Sequence, residues 1–203
     1  MSQTIELRVL ELLAARLCHD LISPVSAVAN GVELLGDEDD GFAADALALV
    51  AESSRKAGRR LQFYRFAWGF SGGGLTGPPP HALAGEFFAD TAIALDYGAA
   101  ARSLPLDEQK LACAMLASAG EALPRGGRLS LGVGSDGPEL DGAGEGGGFS
   151  PEAAAALRLA TPVAARTTRT FGAYFTGLLA ESLGRRLALA GRPGTFRLAA
   201  VRV

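Results

Sequence analysis

The sequence predicts an α+β protein in which an N-terminal antiparallel helical hairpin precedes an α/β sandwich. Three observations support this fold class. Apolar residues recur at helical spacing through residues 1–71, a glycine- and proline-rich break follows, and shorter helix and strand patterns alternate over residues 80–203. The chain has 203 residues, 48% of them hydrophobic, which is enough for a substantial core. We therefore expect two domains with these boundaries.

The first predicted helix runs from Thr4 to about Leu35. Its apolar residues recur every three or four positions and fall on one stripe. The stripe consists of Leu10, Leu13, Ala14, Leu17, Leu21, Pro24, Val25, Val28, Val32 and Leu35. His19 falls roughly opposite it, so we expect the His19 ring to face solvent.

The second predicted helix runs from Phe42 to Phe70, after turn-forming residues at 36–41. Its alternation of three and four positions is typical of a coiled-coil seam. The seam consists of Leu47, Val50, Ser54, Ala57, Leu61, Tyr64 and Trp68. Two such helices cannot bury both apolar flanks on each other, so we expect two hairpins to pair into a dimeric four-helix bundle. The alternative is that the hairpin packs on the remainder of its own chain.

The second half of the chain shows mixed patterns. Helices are expected over residues 81–90, 107–123 with Asp107 as N-cap, from 151 after the N-cap Ser150, and over 170–183; strands are expected over 92–97, 128–133, 185–190 and 195–203. Residues 134–148 are mostly glycine and acidic residues. They predict a flexible loop, with one irregular strand left open as an alternative.

Composition excludes several classes of function. The net charge of −3 is spread along the chain and gives no electrostatic footprint for nucleic acid or an anionic membrane. Cys18 and Cys113 lie far apart and lack metal-ligand spacing, so we interpret both as reduced thiols. The N-terminus lacks the pattern of a signal peptide, and no uninterrupted apolar stretch reaches membrane-spanning length. These features predict a cytoplasmic protein without a membrane partner.

His19 is the main candidate for chemistry, as a residue that carries a phosphoryl group. A neutral imidazole is a competent nucleophile at cytoplasmic pH. Asp20 is a candidate orienting residue that fixes the imidazole tautomer, and Pro24 frees the Asp20 carbonyl and loosens the helix. Six residues on the same face are candidates for docking a partner: Leu12, Ala15, Arg16, Ile22, Ser23 and Ser26. The alternative is that a lone solvent-facing histidine has no function.

Two other groups of residues favour a structural interpretation. The basic residues Arg55, Lys56, Arg59 and Arg60 could neutralise a phosphoryl group, but a basic helix face is more often only solvated. His81, the second histidine, follows three prolines and has no obvious chemical partner.

A known family shares the motif at His19. The run from His19 to Pro24 resembles the H-box of histidine kinases, His-Asp/Glu-Leu-x-x-Pro, and with residues 30–35 it is similar to the ChpT family of histidine phosphotransferases. Residues 111–127 are similar in layout to the kinase N-box helix, and residues 171–203 to the last helix and strand pair of a kinase ATPase domain. The resemblance implies a phosphorylatable His19 and a degenerate ATPase-like domain over residues 80–203.

The departures from the kinase pattern bear on nucleotide binding. Ala114 and Ser118 stand where a kinase has its magnesium-binding asparagine, and neither replaces a carboxamide ligand well. Residues 141–144 match the first glycine box only loosely, and Ala173, Tyr174 and Phe175 replace glycines of the second. We therefore expect no ATP site and no cofactor or metal on this chain, with Mg²⁺ supplied by a partner.

The resemblance also implies partners and a reaction. The expected protein accepts a phosphoryl group from the aspartate of one receiver domain, holds it on His19 and passes it to another receiver, without ATP-dependent autophosphorylation. Receivers of a hybrid sensor kinase and of response regulators are the implied partners. Two alternatives stay open: a non-catalytic dimeric adaptor that docks receivers and, less favoured, an atypical histidine kinase.

Overall fold

Two long helices, α1 (Leu7–Gly36) and α2 (Ala43–Ala67), form the predicted hairpin. The computed structural model describes residues 7–36, 42–69 and 77–203, so the predicted turn at 37–41 and the centre of the predicted domain break lie outside the described residues. The helices cross closely at Gly31, where an added Cβ would lie 2.6 Å from Val50 Cγ2 and 3.2 Å from the Ala46 carbonyl oxygen. A glycine therefore sets the spacing of the hairpin.

The second half forms a five-stranded mixed sheet with helices packed on it. Its elements are α3 (Pro80–Phe88), β1 (Ile93–Tyr97), α4 (Ala99–Arg102), α5 (Leu106–Glu121), β2 (Gly127–Val133), β3 (Pro138–Ala143), α6 (Pro151–Leu157), a 3-10 helix (Val163–Ala165), α7 (Thr168–Ser182), β4 (Arg185–Arg192) and β5 (Thr195–Arg202). The strand order is β1-β2-β3-β5-β4, with β1 parallel to β2 and the other pairs antiparallel. Helices α5 and α7 pack on the sheet and on each other. The mixed α+β class is confirmed.

The expectation of a flexible loop over residues 134–148 is wrong, because β3 lies there and is the central strand of the sheet. Its residues alternate: Pro138, Leu140 and Gly142 are buried, and Asp141 is exposed. Gly142 is needed because the Phe196 ring lies across it, 2.1 Å from where a Cβ would stand. The glycines that suggested flexibility therefore make room for packing.

Helix starts also differ from the predictions in detail. Asp107 is not the N-cap of α5, since Pro105 holds that position and Asp107 lies in the first turn, where its charge suits the helix dipole. Ser150 caps α6 as predicted, accepting a hydrogen bond from the Ala153 amide at 3.2 Å. α7 begins at Thr168, two residues before the predicted start, because a capping box precedes it.

One end of the hairpin packs on its own chain. The last turns of α2 contribute Tyr64 and Trp68 to the same hydrophobic cluster as α5 and α7. Trp68 stacks on Tyr64 with ring centroids 4.3 Å apart and meets Phe171 edge-on at 5.9 Å. The alternative left open by the sequence therefore holds at this end.

Other parts of the predicted apolar stripe remain uncovered. Leu13 and Leu17 pack against the core cluster, whereas Leu10, Val25 and Val32 are 49%, 57% and 56% exposed. The predicted stripe thus divides into a covered part and an open part.

In the part of the chain that the structure describes, α1 is long and apolar enough to cross a membrane by length and composition alone. The stretch is not uninterrupted, because charged residues such as Arg16 and Asp20 lie within it. The core helix of a soluble protein passes the same test, and α1 carries Arg16 and Asp20, which form ion pairs within the chain.

Candidate functional site: His19 and its anchored carboxylate

His19 projects from the middle of α1 into solvent, with 78% of its side chain exposed. The prediction of a solvent-facing ring is confirmed. The helix continues through Pro24, whose ring is buried on the opposite flank. His19 is therefore accessible while the helix that carries it is held in place.

Asp20 is buried beside His19 and has three side-chain partners. The Tyr64 hydroxyl donates to Asp20 Oδ2 at 2.6 Å, and Arg16 Nε donates to the same oxygen at 2.9 Å. The other oxygen, Oδ1, lies 3.1 Å from His19 Nδ1. Oδ2 is therefore bonded to Tyr64 and Arg16, and Oδ1 contacts His19.

The pKa values in this network follow from its contacts. Burial alone would raise the pKa of Asp20, but hydrogen bonds from Tyr64 and His19 and the charge of Arg16 outweigh it, so the Asp20 pKa lies below its usual range. Burial and the bond to Asp20 raise the pKa of Tyr64, whose hydroxyl stays protonated. An ionised carboxylate only accepts, so His19 Nδ1 carries the proton in this contact, and in the neutral ring Nε2 then has the free lone pair.

Arg16 connects this network to the second half of the chain. One terminal guanidinium nitrogen lies 2.7 Å from Glu121 Oε1 on α5, and the other lies 3.5 Å from the Thr168 carbonyl oxygen at the start of α7. Only 14% of the Arg16 side chain is exposed. The guanidinium therefore bridges the hairpin and the sandwich.

The predicted docking residues divide into two groups. Ala15, Ile22, Ser23 and Ser26 are exposed around His19. Leu12 is only 3% exposed, and Arg16 is held in ion pairs, so neither is available to a partner. The prediction was wrong for these two because they lie on the flank of α1 that the chain itself covers.

Sequence reasoning missed Tyr64 and Glu121 as site residues. The pattern placed Tyr64 in the α2 seam. A buried tyrosine hydroxyl usually needs a hydrogen-bond partner, and this was the signal in the sequence that could have pointed to Tyr64 as a site residue. Glu121 stands three residues before Pro124, at the end of α5, and nothing local pointed to Arg16. Both contacts join segments far apart in sequence.

Two of the remaining candidate residues, Arg59 and His81, have structural partners. Arg59 pairs with Glu86 at 2.6 Å and with Asp90 at 2.9 Å. The His81 ring packs edge-on against Tyr97, with centroids 6.1 Å apart. Within the described residues no group of three or more His, Cys, Asp or Glu side chains could hold a metal ion.

A cavity of about 340 Å³ lies between α1, α5 and α7. Ser118 lines the cavity, but its hydroxyl is already hydrogen-bonded to Thr176 Oγ1 at 2.9 Å, and Ala114 is fully buried. Glu121 lines the cavity; burial raises its pKa to about 7, although Arg16 acts in the opposite direction. Gly172 lies inside α7 and lets that helix approach Glu121.

The site has an accessible histidine on a helical hairpin, next to a buried carboxylate. The α+β half of the chain packs behind it. These features define a class of proteins that react through an exposed histidine. Within that class, residues 80–193 match the family model for the histidine phosphotransferase C-terminal domain. The chain belongs to this histidine phosphotransferase family. The matched segment begins after the hairpin, so His19 lies outside it.

Similar proteins agree with the family. The curated protein phosphotransferase ChpT of Brucella abortus (strain 2308) is 40% identical over 123 residues, an alignment that covers 59% of this chain and 58% of that relative. A solved structure of a bacterial phosphotransferase superposes with a TM-score of 0.78 at 30% identity and covers 98% of both chains. The second similarity includes the hairpin.

Proposed function

We propose that this protein is a phosphorelay histidine phosphotransferase that carries the phosphoryl group on His19. The observation that carries the proposal is the contact between His19 Nδ1 and the buried, ionised Asp20 carboxylate, which leaves Nε2 exposed as a nucleophile. Family membership and the similarity to phosphotransferases support the same reaction.

The transfer step needs little chemistry from this chain. His19 Nε2 attacks the phosphorus of a receiver's aspartyl phosphate, the N–P bond forms, and the bond from phosphorus to the aspartate oxygen breaks with its electron pair on the released carboxylate. The Nδ1 proton stays in place, where Asp20 offsets the positive charge that develops on the ring. The receiver supplies Mg²⁺ and its own charged pocket. Reversal of these steps passes the phosphoryl group to a second receiver.

Receiver domains of a hybrid sensor kinase and of response regulators are the proposed partners. Ala15, Ile22, Ser23 and Ser26 surround His19 with small or apolar side chains that a receiver can approach closely. This part of the docking surface needs no rearrangement of the hairpin.

We also propose that the chain itself binds no nucleotide. Support comes from Ser118, whose hydroxyl is engaged with Thr176, and from Glu121, whose carboxyl group lines the cavity and would repel a triphosphate when ionised. Calorimetry with millimolar ATP and Mg²⁺ tests this point. No heat of binding is expected, and saturable binding would contradict it.

The hairpin is proposed to form a homodimer through a four-helix bundle in the cytoplasm. The exposed apolar side chains that support it are Leu7, Leu10, Val25 and Val32 of α1 and Leu47 and Leu61 of α2, with exposures from 49% to 70%. A solvent-exposed stripe of this length is unfavourable in a monomer. Light scattering at about 10 μM should give twice the mass of the chain, and a monomer at that concentration would contradict the proposal.

The test of phosphoryl transfer uses a His19→Gln variant with a His81→Gln variant as its control, because the chain has two histidines. Labelled receiver domains are screened for transfer to the purified protein. Wild type and His81→Gln should gain an acid-labile label, and His19→Gln should gain none. Label on the His19→Gln variant would exclude the mechanism, and docking without label on wild type would favour the adaptor.

A further inference from the structure

We propose that Tyr64 is a positioning residue for phosphoryl transfer at His19, acting through Asp20 together with Arg16. This inference deepens the proposed function and rests on it for its effect on transfer. Tyr64 does not touch the phosphoryl group; its hydroxyl sets the orientation of the carboxylate that selects the His19 tautomer.

The geometry separates the two Asp20 oxygens by role. Oδ2 accepts from Tyr64 at 2.6 Å and from Arg16 at 2.9 Å, so this oxygen is occupied by donors from α2 and from the preceding turn of α1. Oδ1 is then left to His19 Nδ1 at 3.1 Å. Two donors on one oxygen fix the rotation of the carboxylate, which a single donor would leave free to turn.

Tyr64 is itself held rigidly. Its ring stacks on Trp68 with an interplanar angle of 8° and is 4% exposed. Phe87 of α3 meets the same ring edge-on at 5.5 Å. Because the Tyr64 ring is packed in this way, its hydroxyl holds the Asp20 carboxylate at a fixed position relative to α2.

Arg16 extends the same support to the second half of the chain. Its ion pair with Glu121 at 2.7 Å ties the guanidinium to α5, while its Nε stays on Asp20. A lysine could not make both contacts through separate nitrogens in a planar fork. The accessible histidine is therefore oriented by groups from three helices.

The expected consequence is a tautomer preference. A histidine side chain free in water favours the proton on Nε2, which blocks attack by that nitrogen. The Asp20 carboxylate reverses this preference by accepting from Nδ1–H. Loss of the Tyr64 hydroxyl loosens the carboxylate and should return part of the population to the unreactive tautomer.

The experiment compares Tyr64→Phe with Tyr97→Phe, a matched loss of a buried hydroxyl on β1. Ring ¹⁵N chemical shifts of His19 are measured at pH 8 in a His81→Gln background, where His19 is the only histidine. Phosphoryl transfer from a receiver domain labelled with acetyl phosphate is timed on the same samples. Emission of Trp68, the single tryptophan, reports whether the stacked pair keeps its packing.

Tyr64→Phe should shift the His19 ring nitrogens towards the Nε2–H form and slow transfer about tenfold, with unchanged Trp68 emission. Tyr97→Phe should change neither. A Tyr64→Phe variant with the wild-type tautomer, or with the wild-type transfer rate, overturns the inference. If Tyr64→Phe loses its packing, Arg16→Lys replaces it under the same two criteria.

The two proposals fail in distinguishable ways. If wild type accepts no phosphoryl group from any receiver, the proposed function fails. The ¹⁵N measurement is made on unphosphorylated protein, so a wild-type ring protonated on Nε2 overturns the positioning inference by itself.

Discussion

Two faces of α1 differ in burial and in polarity. One face is buried against the chain although two of its key residues, Arg16 and Asp20, are charged, and each charge has a partner. The other face is apolar and open to solvent, with Val25 and Val32 more than half exposed. At about 100° per residue, Val25 and Val32 lie roughly 150° around α1 from Arg16 and Asp20, and His19 lies roughly 80° from Arg16 and Asp20 on the other side.

The two faces therefore have different expected roles. The charges of the buried, charged face are paired within one chain, and in our proposal they orient His19. The apolar face is unsatisfied within one chain and is where we place the second copy. Changes on the first face should alter transfer and folding, and changes on the second should alter assembly alone.

Asp20→Asn should give the largest effect, because it breaks the charged face at its centre. The neutral amide cannot accept from Tyr64 and Arg16 and also hold His19 Nδ1–H, and the Arg16 charge loses a buried partner. We expect transfer to slow by about a hundredfold or more and unfolding free energy to fall by about 2–3 kcal/mol. Urea denaturation and timed transfer measure the two effects.

Glu33→Gln is the control for that change, since Glu33 is exposed on the same helix. It should alter stability and transfer little. An Asp20→Asn variant that transfers within threefold of wild type would show that the charged face does not control His19.

Substitution of the open face should change assembly next. A Val25→Asp, Val32→Asp double variant would place two carboxylates in the proposed bundle interface, so the dimer dissociation constant should rise at least about a hundredfold. Transfer at His19 should stay within about threefold. Light scattering over a dilution series measures the constant.

Ser26→Asp adds one carboxylate to the face near His19 and serves as the control. It should leave the dimer intact. A double variant that dimerises as tightly as wild type would place the interface elsewhere, and the two faces of α1 would no longer differ in the way described.

A smaller effect is expected where the two helices cross. Gly31→Ala should destabilise the protein by about 1–2 kcal/mol, because the new Cβ would lie 2.6 Å from Val50 Cγ2 and must push α2 away. Gly58→Ala on α2 is the matched control, since nothing lies within 4 Å of its Cβ position. That substitution should stabilise by about 0.5–1 kcal/mol through helix propensity. Equal effects in urea denaturation would contradict the close crossing.

The sequence predicted those features that depend on local spacing. His19 faces solvent because its position relative to the apolar residues of one helix decides it. Leu12 and Arg16 could not be placed in this way, since one helix pattern does not tell which flank α5 and α7 will cover. The Tyr64–Asp20 bond joins residues 44 apart. The sequence allowed one irregular strand within residues 134–148 but not a regular central strand, because the role of Gly142 depends on Phe196, which lies on a later strand.

The smallest expected effect is a pH dependence at Glu121, the far end of the charged face. Burial raises the pKa of Glu121 in the folded chain from 4.5 to about 7, although Arg16 acts in the opposite direction. Between pH 5 and 7, Glu121 is therefore protonated in a larger fraction of folded chains than of unfolded chains. Stability from this group is therefore lost as pH rises through that window. Glu121→Gln removes this titration, and urea denaturation at pH 5, 6 and 7 should show a flatter dependence of the unfolding free energy on pH than wild type.

Glu152→Gln is the control, because hydrogen bonds from its own backbone amide and from Ser150 lower the Glu152 pKa and place its titration below the window. A wild-type slope in Glu121→Gln would mean that Arg16 keeps this carboxyl ionised, and the charged face would then be fully paired as far as α5.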